Sequence, residues 1–363
     1  MGVRWEDLRD GNDDGALFEL EPAIERGTGR AGLAAPDNGP VLAGDDAGAI
    51  AVEIRARSII NRVPGESAVP FRWTINPYRG CSHACVYCFA RRTHEYLDLD
   101  SGRDFDTKIM VKVNAAELLR SELARPSWRG EPIAMGTNTD PYQRAEGHYR
   151  LMPEIIGALR DAANPFSILT KGSLILRDAE LLAEAARVTD VSLAVSVGSL
   201  DEDLWRAVEP GTPHPMRRLD VVRRFAELGV GCSVLMAPIL PGLSDSEEQI
   251  ERTVAAIAEA GANGVTPLVL HLRPGAREWY LGWLDQHHPR LRSYYDWLYR
   301  RGAYSPRRYQ DMVTARVRQA ARGHGLLRGA EHRVPARERD GDPEVTAVPE
   351  SVIDRQAEQL CLL

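Results

Sequence analysis

From residue 71 to residue 272 the chain repeats one order six times: a short apolar run, a polar turn and an amphipathic helix. The apolar runs are 71–75, 132–136, 166–170, 191–197, 231–237 and 265–272. Helices are expected at 115–124, 153–162, 178–187, 216–228 and 246–260, with a helical stretch near 89–95 after the first run. Ser244 and Asp245 are expected to cap the helix at 246–260, with Glu247 and Glu248 in its first turn. Strands that alternate with helices pair in parallel, because a parallel crossover needs about a dozen residues and a helix fills it. Six such units are too few for a closed eight-unit barrel. In folds of this kind chemistry collects at the C-terminal ends of the strands. The polar and small residues obey that rule, with Thr139, Asp140, Lys171, Ser196, Gly198, Ser199 and Ala237 all at or just after run ends.

The first run leads into Cys81-Ser82-His83-Ala84-Cys85-Val86-Tyr87-Cys88, three thiols at the spacing C-x3-C-x2-C. Thiolates are soft metal ligands, and two short gaps let three sulfurs converge from one looped segment. A structural zinc site wants four protein ligands, and the remaining cysteines, Cys232 and Cys361, are far along the chain. Three cysteines suit a 4Fe–4S cluster in which one iron keeps no protein ligand. The competing reading is a zinc knot that uses His83 or His94 as its fourth ligand.

Bulk composition bounds the rest. A length of 363 residues with 44% hydrophobic residues supports one large or two smaller domains. A net charge of −7 makes no global case for nucleic acid. Five cysteines, three in one motif, argue against a disulfide framework and for a reducing compartment. The start Met1-Gly2-Val3-Arg4-Trp5-Glu6 carries neither a signal peptide nor a myristoylation signal, and no apolar run is long enough to span a membrane. A cytoplasmic protein is expected.

The cysteine motif with an aromatic before its last Cys resembles the radical S-adenosylmethionine (SAM) superfamily. The flanking words Asn76-Pro77-Tyr78-Arg79-Gly80, Thr139-Asp140-Pro141-Tyr142 and Thr170-Lys171-Gly172 are similar to the branch related to spore photoproduct lyase, closest to its actinobacterial members. The resemblance covers roughly residues 61 to 327. It implies an α/β fold, a partial (β/α)6 TIM-like barrel open at one side, with a C-terminal helical extension. It implies Cys81, Cys85 and Cys88 as ligands of a 4Fe–4S cluster, and SAM as cosubstrate. Tyr87 matches the position of an aromatic near SAM. Thr139 and Asp140 match the residues at the SAM ammonium, Lys171 the lysine at its carboxylate or ribose, and Ser196 a ribose serine. Ala237 matches a backbone contact to the adenine. The implied reaction is reductive cleavage of SAM to a 5′-deoxyadenosyl radical that takes hydrogen from a substrate, with electrons from a flavodoxin or ferredoxin. The lyase has a cysteine where Asn138 stands and a tyrosine where Phe89 stands. An amide and a phenyl ring cannot relay a hydrogen atom, so a different substrate is expected, or a hydrogen donor from elsewhere.

The expected domains are an acidic, largely flexible segment 1–60, a core barrel 61–285, an Arg/Tyr-rich helical extension 286–328 and a flexible tail 329–363. Residues 1–50 hold eleven acidic residues against four arginines. Residues 290–328 hold ten arginines against two acids, with Tyr294, Tyr295, Trp297, Tyr299, Tyr304 and Tyr309 interleaved. Two readings compete there. Arginines and aromatics can hold phosphates and bases, which leaves nucleic acid as a partner through 290–328. Alternatively the aromatics form core beneath a solvated helical cover, which is the favoured reading. A nucleic-acid-binding or repair protein, or one with a structural metal only, is the alternative to the radical enzyme. The absence of a second cysteine cluster disfavours a methylthio- or methyltransferase. Glu209, Arg217, Arg218, His271, Arg273, Glu146 and His148 are candidate substrate-side groups, each equally readable as a surface ion-pair partner.

Overall fold

The computed structural model describes residues 18–19, 48–63, 69 and 71–326. The expected flexibility of most of 1–60 and of the tail 329–363 falls on residues outside that set. The chain divides into two compact units that interleave in sequence. The first comprises the chain through Arg62, Trp73–Ala84 and Ala90–Val191; the second comprises Val63–Arg72, Cys85–Phe89 and Ser192 onward.

In the first unit the strands are β1 (Phe18–Glu19), β2 (Ile50–Ala56), β3 (Ile60–Arg62), β4 (Trp73–Ile75), β5 (Tyr78–Arg79), β6 (Lys108–Lys112), β7 (Ile133–Met135) and β8 (Phe166–Thr170). Its helices are α1 (Arg103–Thr107), α2 (Ala115–Leu123), α3 (Arg144–Tyr149), α4 (Leu151–Asp161) and α5 (Ala179–Ala186), and a 3₁₀ helix runs over Phe89–Leu97. Strands β4, β7 and β8 pair in parallel, with Ile75 opposite Met135 and Met135 opposite Ile168. β3 closes the β4 side in antiparallel pairing. A second sheet runs β1-β2-β6-β5. Its β6, with the sequence Lys-Ile-Met-Val-Lys, is absent from the six expected runs. Its lysine ends hide three buried apolar residues, which become a strand because β2 pairs on one side and β5 on the other. That sheet fixes β5 and so the backbone that enters the cysteine loop.

In the second unit β9 (Val191–Ser196), β10 (Cys232–Ile239) and β11 (Val265–Val269) pair in parallel. Its helices are α6 (Glu202–Val208), α7 (Pro215–Glu227), α8 (Glu247–Glu259), α9 (Ala276–His287), α10 (Arg292–Leu298) and α11 (Arg307–Gly323). All six expected strands are present, as β4, β7, β8, β9, β10 and β11. The cap of α8 differs from expectation: Ser246 Oγ accepts from the Gln249 N–H at 3.2 Å. Ser244 Oγ instead accepts from the Leu240 N–H, and Asp245 Oδ1 from the Gly242 N–H, both at 2.8 Å, so both stabilise the turn after β10.

The Arg/Tyr-rich extension supplies core to this unit. Tyr295 and Tyr299 are fully buried with Tyr280, Leu284 and Leu298, against Val208, Leu240 and Leu270. The Tyr295 hydroxyl donates to Pro241 O at 2.8 Å and Tyr299 to Leu270 O at 2.7 Å, which pins the extension to the ends of β10 and β11. Tyr304 is the exposed exception at 56%. Several arginines are engaged on this surface, Arg292 with Asp285 and Asp296, and Arg316 with the Asp245 carbonyl. Among the described residues no helix is long and apolar enough to cross a membrane.

Candidate active site

Gly80 turns the chain out of β5 at φ +81°, a conformation that favours glycine. A Cβ there would lie 2.9 Å from Lys108 O and 3.0 Å from Phe105 O, so only glycine fits the close approach. Cys81 follows, its N–H donating to Phe105 O at 2.9 Å. Ala84 sits in the left-handed region at φ 52°, and its N–H returns to Cys81 O at 3.1 Å. Cys81 and Cys85 are buried, Cys88 is half-buried, and none of the three is in a disulfide. Among the described residues no group of three or more His, Cys, Asp or Glu side chains stands ready to hold a metal ion. The chemistry of the donor set nevertheless fits an iron–sulfur cluster: three free thiols, soft ligands, within eight residues of one loop.

Around the first half of that loop the ends of β7 and β8 converge. Gly136, at φ +85°, lets the chain leave β7 against β8, where a Cβ would lie 1.9 Å from Leu169 O. Thr139 Oγ1 donates to Gly80 O at 2.7 Å. Asp140 is half-buried with its acceptor positions taken. Oδ1 accepts from Tyr142 N–H at 2.9 Å and Thr170 Oγ1 at 2.5 Å, and Oδ2 accepts from Lys171 N–H at 2.7 Å with His83 Nδ1 at 3.3 Å. Burial alone would raise its carboxyl, but the His83 imidazole and these hydrogen bonds outweigh that and hold it down at about 2. Asp140 thus closes a turn onto the Tyr142 N–H and holds the Lys171 backbone with a half-buried carboxylate. Sequence reasoning missed Gln143. It is fully buried and bonds to Gly80, Ser82 and Thr139. Its position immediately after Thr139-Asp140-Pro141-Tyr142 was the available signal.

In the second unit Val86 N–H donates to Val208 O at 3.0 Å, and the Cys88 N–H to Cys85 O at 3.2 Å. Tyr87 is buried, and its hydroxyl donates to Glu209 Oε1. Burial, with the charges of Cys85 and Glu209, pushes that phenol far above its ordinary value, so it stays protonated. Glu209 pairs with Arg218, which also donates to Ser196 O at 3.1 Å and Pro213 O at 2.9 Å. The surface reading of this pair is corrected: Glu209 is 5% exposed and Arg218 1%. Ser196 Oγ donates to Ala237 O at 2.8 Å, which brings two of the expected SAM residues together. Next to them a small cavity of about 20 Å³ is lined by Tyr87, Gly198, Ser199, Glu209, Pro238 and Leu240. Gly198 is required there, since a Cβ would lie 2.7 Å from Pro238 O.

The other candidates separate. Arg217 is a surface residue, 3.8 Å from Asp220, and His148 is exposed against Tyr149. Glu146 is buried, accepting from Tyr78, Arg177 and the N–H groups of Leu151 and Met152, so it caps α4 and is no surface partner. His271 stacks between Phe89 and Tyr304, at ring-centre distances of 5.8 and 5.6 Å, with Arg273 over Phe89. Burial and Arg273 lower its pKa to about 4, which keeps the ring neutral.

Residues 75–264 match the model of the Radical SAM superfamily, over half of the chain. Uncharacterized proteins of Mycobacterium bovis and Mycobacterium tuberculosis are each 55% identical over 265 residues, 73% of this chain and 78% of the relative. An uncharacterized protein of Methanocaldococcus jannaschii is 27% identical over 204 residues, 56% of this chain and 72% of the relative. Among solved structures, spore photoproduct lyase complexed with dinucleoside spore photoproduct matches with TM-score 0.57 at 16% identity, over 76% of this chain and 79% of that chain. At that identity the likeness speaks of fold alone, and it gives the fold class as the α/β partial (β/α)6 barrel of that enzyme. Membership of the superfamily brings an iron–sulfur cluster and SAM as cofactors. The chain belongs to the radical SAM superfamily and is a radical SAM enzyme with the fold of spore photoproduct lyase.

Proposed function

We propose that Cys81, Cys85 and Cys88 hold a 4Fe–4S cluster with one iron open to SAM, within a catalytic core spanning about residues 61–285. The observation that carries this reading is the C-x3-C-x2-C spacing inside the stretch that matches the superfamily. When bound, the cluster and SAM supply a 5′-deoxyadenosyl radical able to take hydrogen from an unactivated C–H bond. The chain's own residues bind and orient. Lys171 would meet the SAM carboxylate or ribose, its backbone fixed by Asp140. Asp140 would contribute negative charge opposite the SAM ammonium, with Thr139 beside it on the same loop. Ser196 and Ala237 would hold ribose and adenine through the segment where they already meet. Tyr87 would present its ring to the cavity it lines, with its hydroxyl held by Glu209.

Asn138 and Phe89 argue against photoproduct repair. Asn138 N–H donates to Asn76 Oδ1 at 3.2 Å, and Phe89 packs beside His271 and Arg273. Neither side chain can give up and regain a hydrogen atom as a thiol or a phenol can. The substrate is therefore one whose radical is quenched differently. A small reductant of the flavodoxin or ferredoxin class would supply the electron, and a reducing compartment such as the cytoplasm suits the thiols. With Tyr295 and Tyr299 buried, the extension offers few rings for base stacking, which favours the enzyme over the nucleic-acid-binding reading. The test is anaerobic reconstitution, followed by iron and sulfide analysis and then reduction with dithionite in the presence of SAM. About four iron atoms per chain and release of 5′-deoxyadenosine are expected. A loaded protein that forms no 5′-deoxyadenosine overturns the reading.

A further inference from the structure

Gln143 is 0% exposed, and both ends of its amide are turned onto the segment that carries Cys81. Oε1 accepts from the Ser82 N–H at 2.9 Å and from Ser82 Oγ at 3.4 Å. Nε2 donates to Gly80 O at 3.0 Å and to Thr139 Oγ1 at 2.9 Å. The amide thus grips the residue before Cys81 and the residue after it. The chemistry of the grip is specific. Ser82 offers a donor and Gly80 an acceptor, and an amide is the side chain that carries both functions without a charge. A carboxylate would keep the bond to Ser82 and lose the one to Gly80, and an apolar side chain would lose both, stranding the buried Ser82 N–H and leaving Gly80 O to Thr139 alone. The neighbouring contacts add to the grip. Cys81 N–H is held by Phe105 O at 2.9 Å, and His83 rests against Asp140 at 3.3 Å.

We propose that Gln143 is a positioning residue for Cys81: its amide clamps Gly80 and Ser82 and holds the first thiol of the metal loop in place before metal binds. The proposal rests on the reading of Cys81 as a cluster ligand for its consequence, and on the amide geometry alone for the clamp. A clamp of this kind raises cluster affinity by removing the entropy that the loop would otherwise lose on ligation.

The test starts with the metal-free chain. Iodoacetamide labelling is followed peptide by peptide, together with hydrogen exchange at the Ser82 amide, for wild type, Gln143→Met and Gln143→Glu. Cys232, 2% exposed in β10, reports whether the fold is intact. The expected result for Gln143→Met is labelling of Cys81 at least tenfold faster, with faster exchange at Ser82 and an unchanged rate at Cys232. Gln143→Glu should fall between Gln143→Met and wild type. Rates at Cys81 and Ser82 within twofold of wild type overturn the clamp. Should Gln143→Met expose Cys232 as well, Gln143→Glu decides, and Cys81 labelling at the wild-type rate there overturns the proposal. After reconstitution, Gln143→Met should bind iron more weakly and show an altered EPR spectrum of the reduced cluster on addition of SAM, whereas a spectrum and iron titration identical to wild type overturn the consequence for the metal. A wild-type chain that takes up no iron refutes the cluster reading, and the labelling result still decides the clamp by itself.

Discussion

Replacing Arg218 with Met would leave the Glu209 carboxylate buried without its cation. Arg218 is 1% exposed and Glu209 5%, so water cannot take over for the lost guanidinium. Removing one partner of a buried pair costs about 3–5 kcal/mol, because the remaining charge is desolvated and uncompensated. The carbonyls of Ser196 and Pro213 also lose charged donors at 3.1 and 2.9 Å. The methionine stem recovers part of the packing, so a net loss of about 4 kcal/mol is expected. Glu209→Gln keeps an acceptor for the Tyr87 hydroxyl while removing the charge. The double variant Arg218→Met/Glu209→Gln should therefore be more stable than Arg218→Met alone, by roughly 1–2 kcal/mol. Urea unfolding of the metal-free protein, with unchanged m-values, measures the cycle. Two results would refute the reasoning. One is a loss below about 1 kcal/mol for Arg218→Met, the size expected of an exposed pair. The other is a double variant that shows simple additivity. The same variants read on function, because this network ties Tyr87 to the carbonyl of Ser196. SAM should bind more weakly to Arg218→Met than to wild type in equilibrium dialysis with the reconstituted protein.

Lys112 is buried at the end of β6, and burial followed by the charge of Arg79 lowers its pKa to about 7. The folded state then holds fewer protons than the unfolded one between about pH 7 and 10.5, so stability should rise with pH across that window, by up to roughly 1.4 kcal/mol per pH unit. Thermal melts of Lys112→Met should lack this rise, and a parallel slope in the two proteins would count against the buried charge. Gly136→Ala should cost more than about 3 kcal/mol or prevent folding, since its Cβ would meet Leu169 O at 1.9 Å while Gly157, with open space around it, should accept Ala at no loss. Tyr295→Ala should lose about 3–5 kcal/mol in urea unfolding and Tyr304→Ala less than about 0.5. Equal losses would mean that the extension does not pack as described. Asp140→Asn should free the turn of β8 into Lys171, seen as faster amide exchange at Lys171; an unchanged rate would show that the strap from Asp140 is dispensable.

The chain's local patterns determined a good deal. The strand–helix alternation could be read directly, because apolar runs of five to eight residues between amphipathic stretches report burial whatever the neighbours are. The cysteine spacing was equally explicit, since ligand convergence within eight residues is a local property. That aromatics of the extension form core was the favoured reading, and Tyr295 and Tyr299 are buried accordingly. Tertiary structure decided the rest. β6 is a strand because β2 and β5 flank it, and nothing in Lys-Ile-Met-Val-Lys announces either partner. Ser246 took the cap of α8, because Ser244 and Asp245 were drawn into the turn after β10. Glu209 and Arg218 look like surface charges in sequence, and only the burial of both makes them a network. Gln143 reaches Ser82 across 61 positions, so the contact that holds the first thiol arises from chain closure rather than from any local word. Local sequence reports which face of a segment avoids water; which distant groups meet on that face is set when the chain closes on itself.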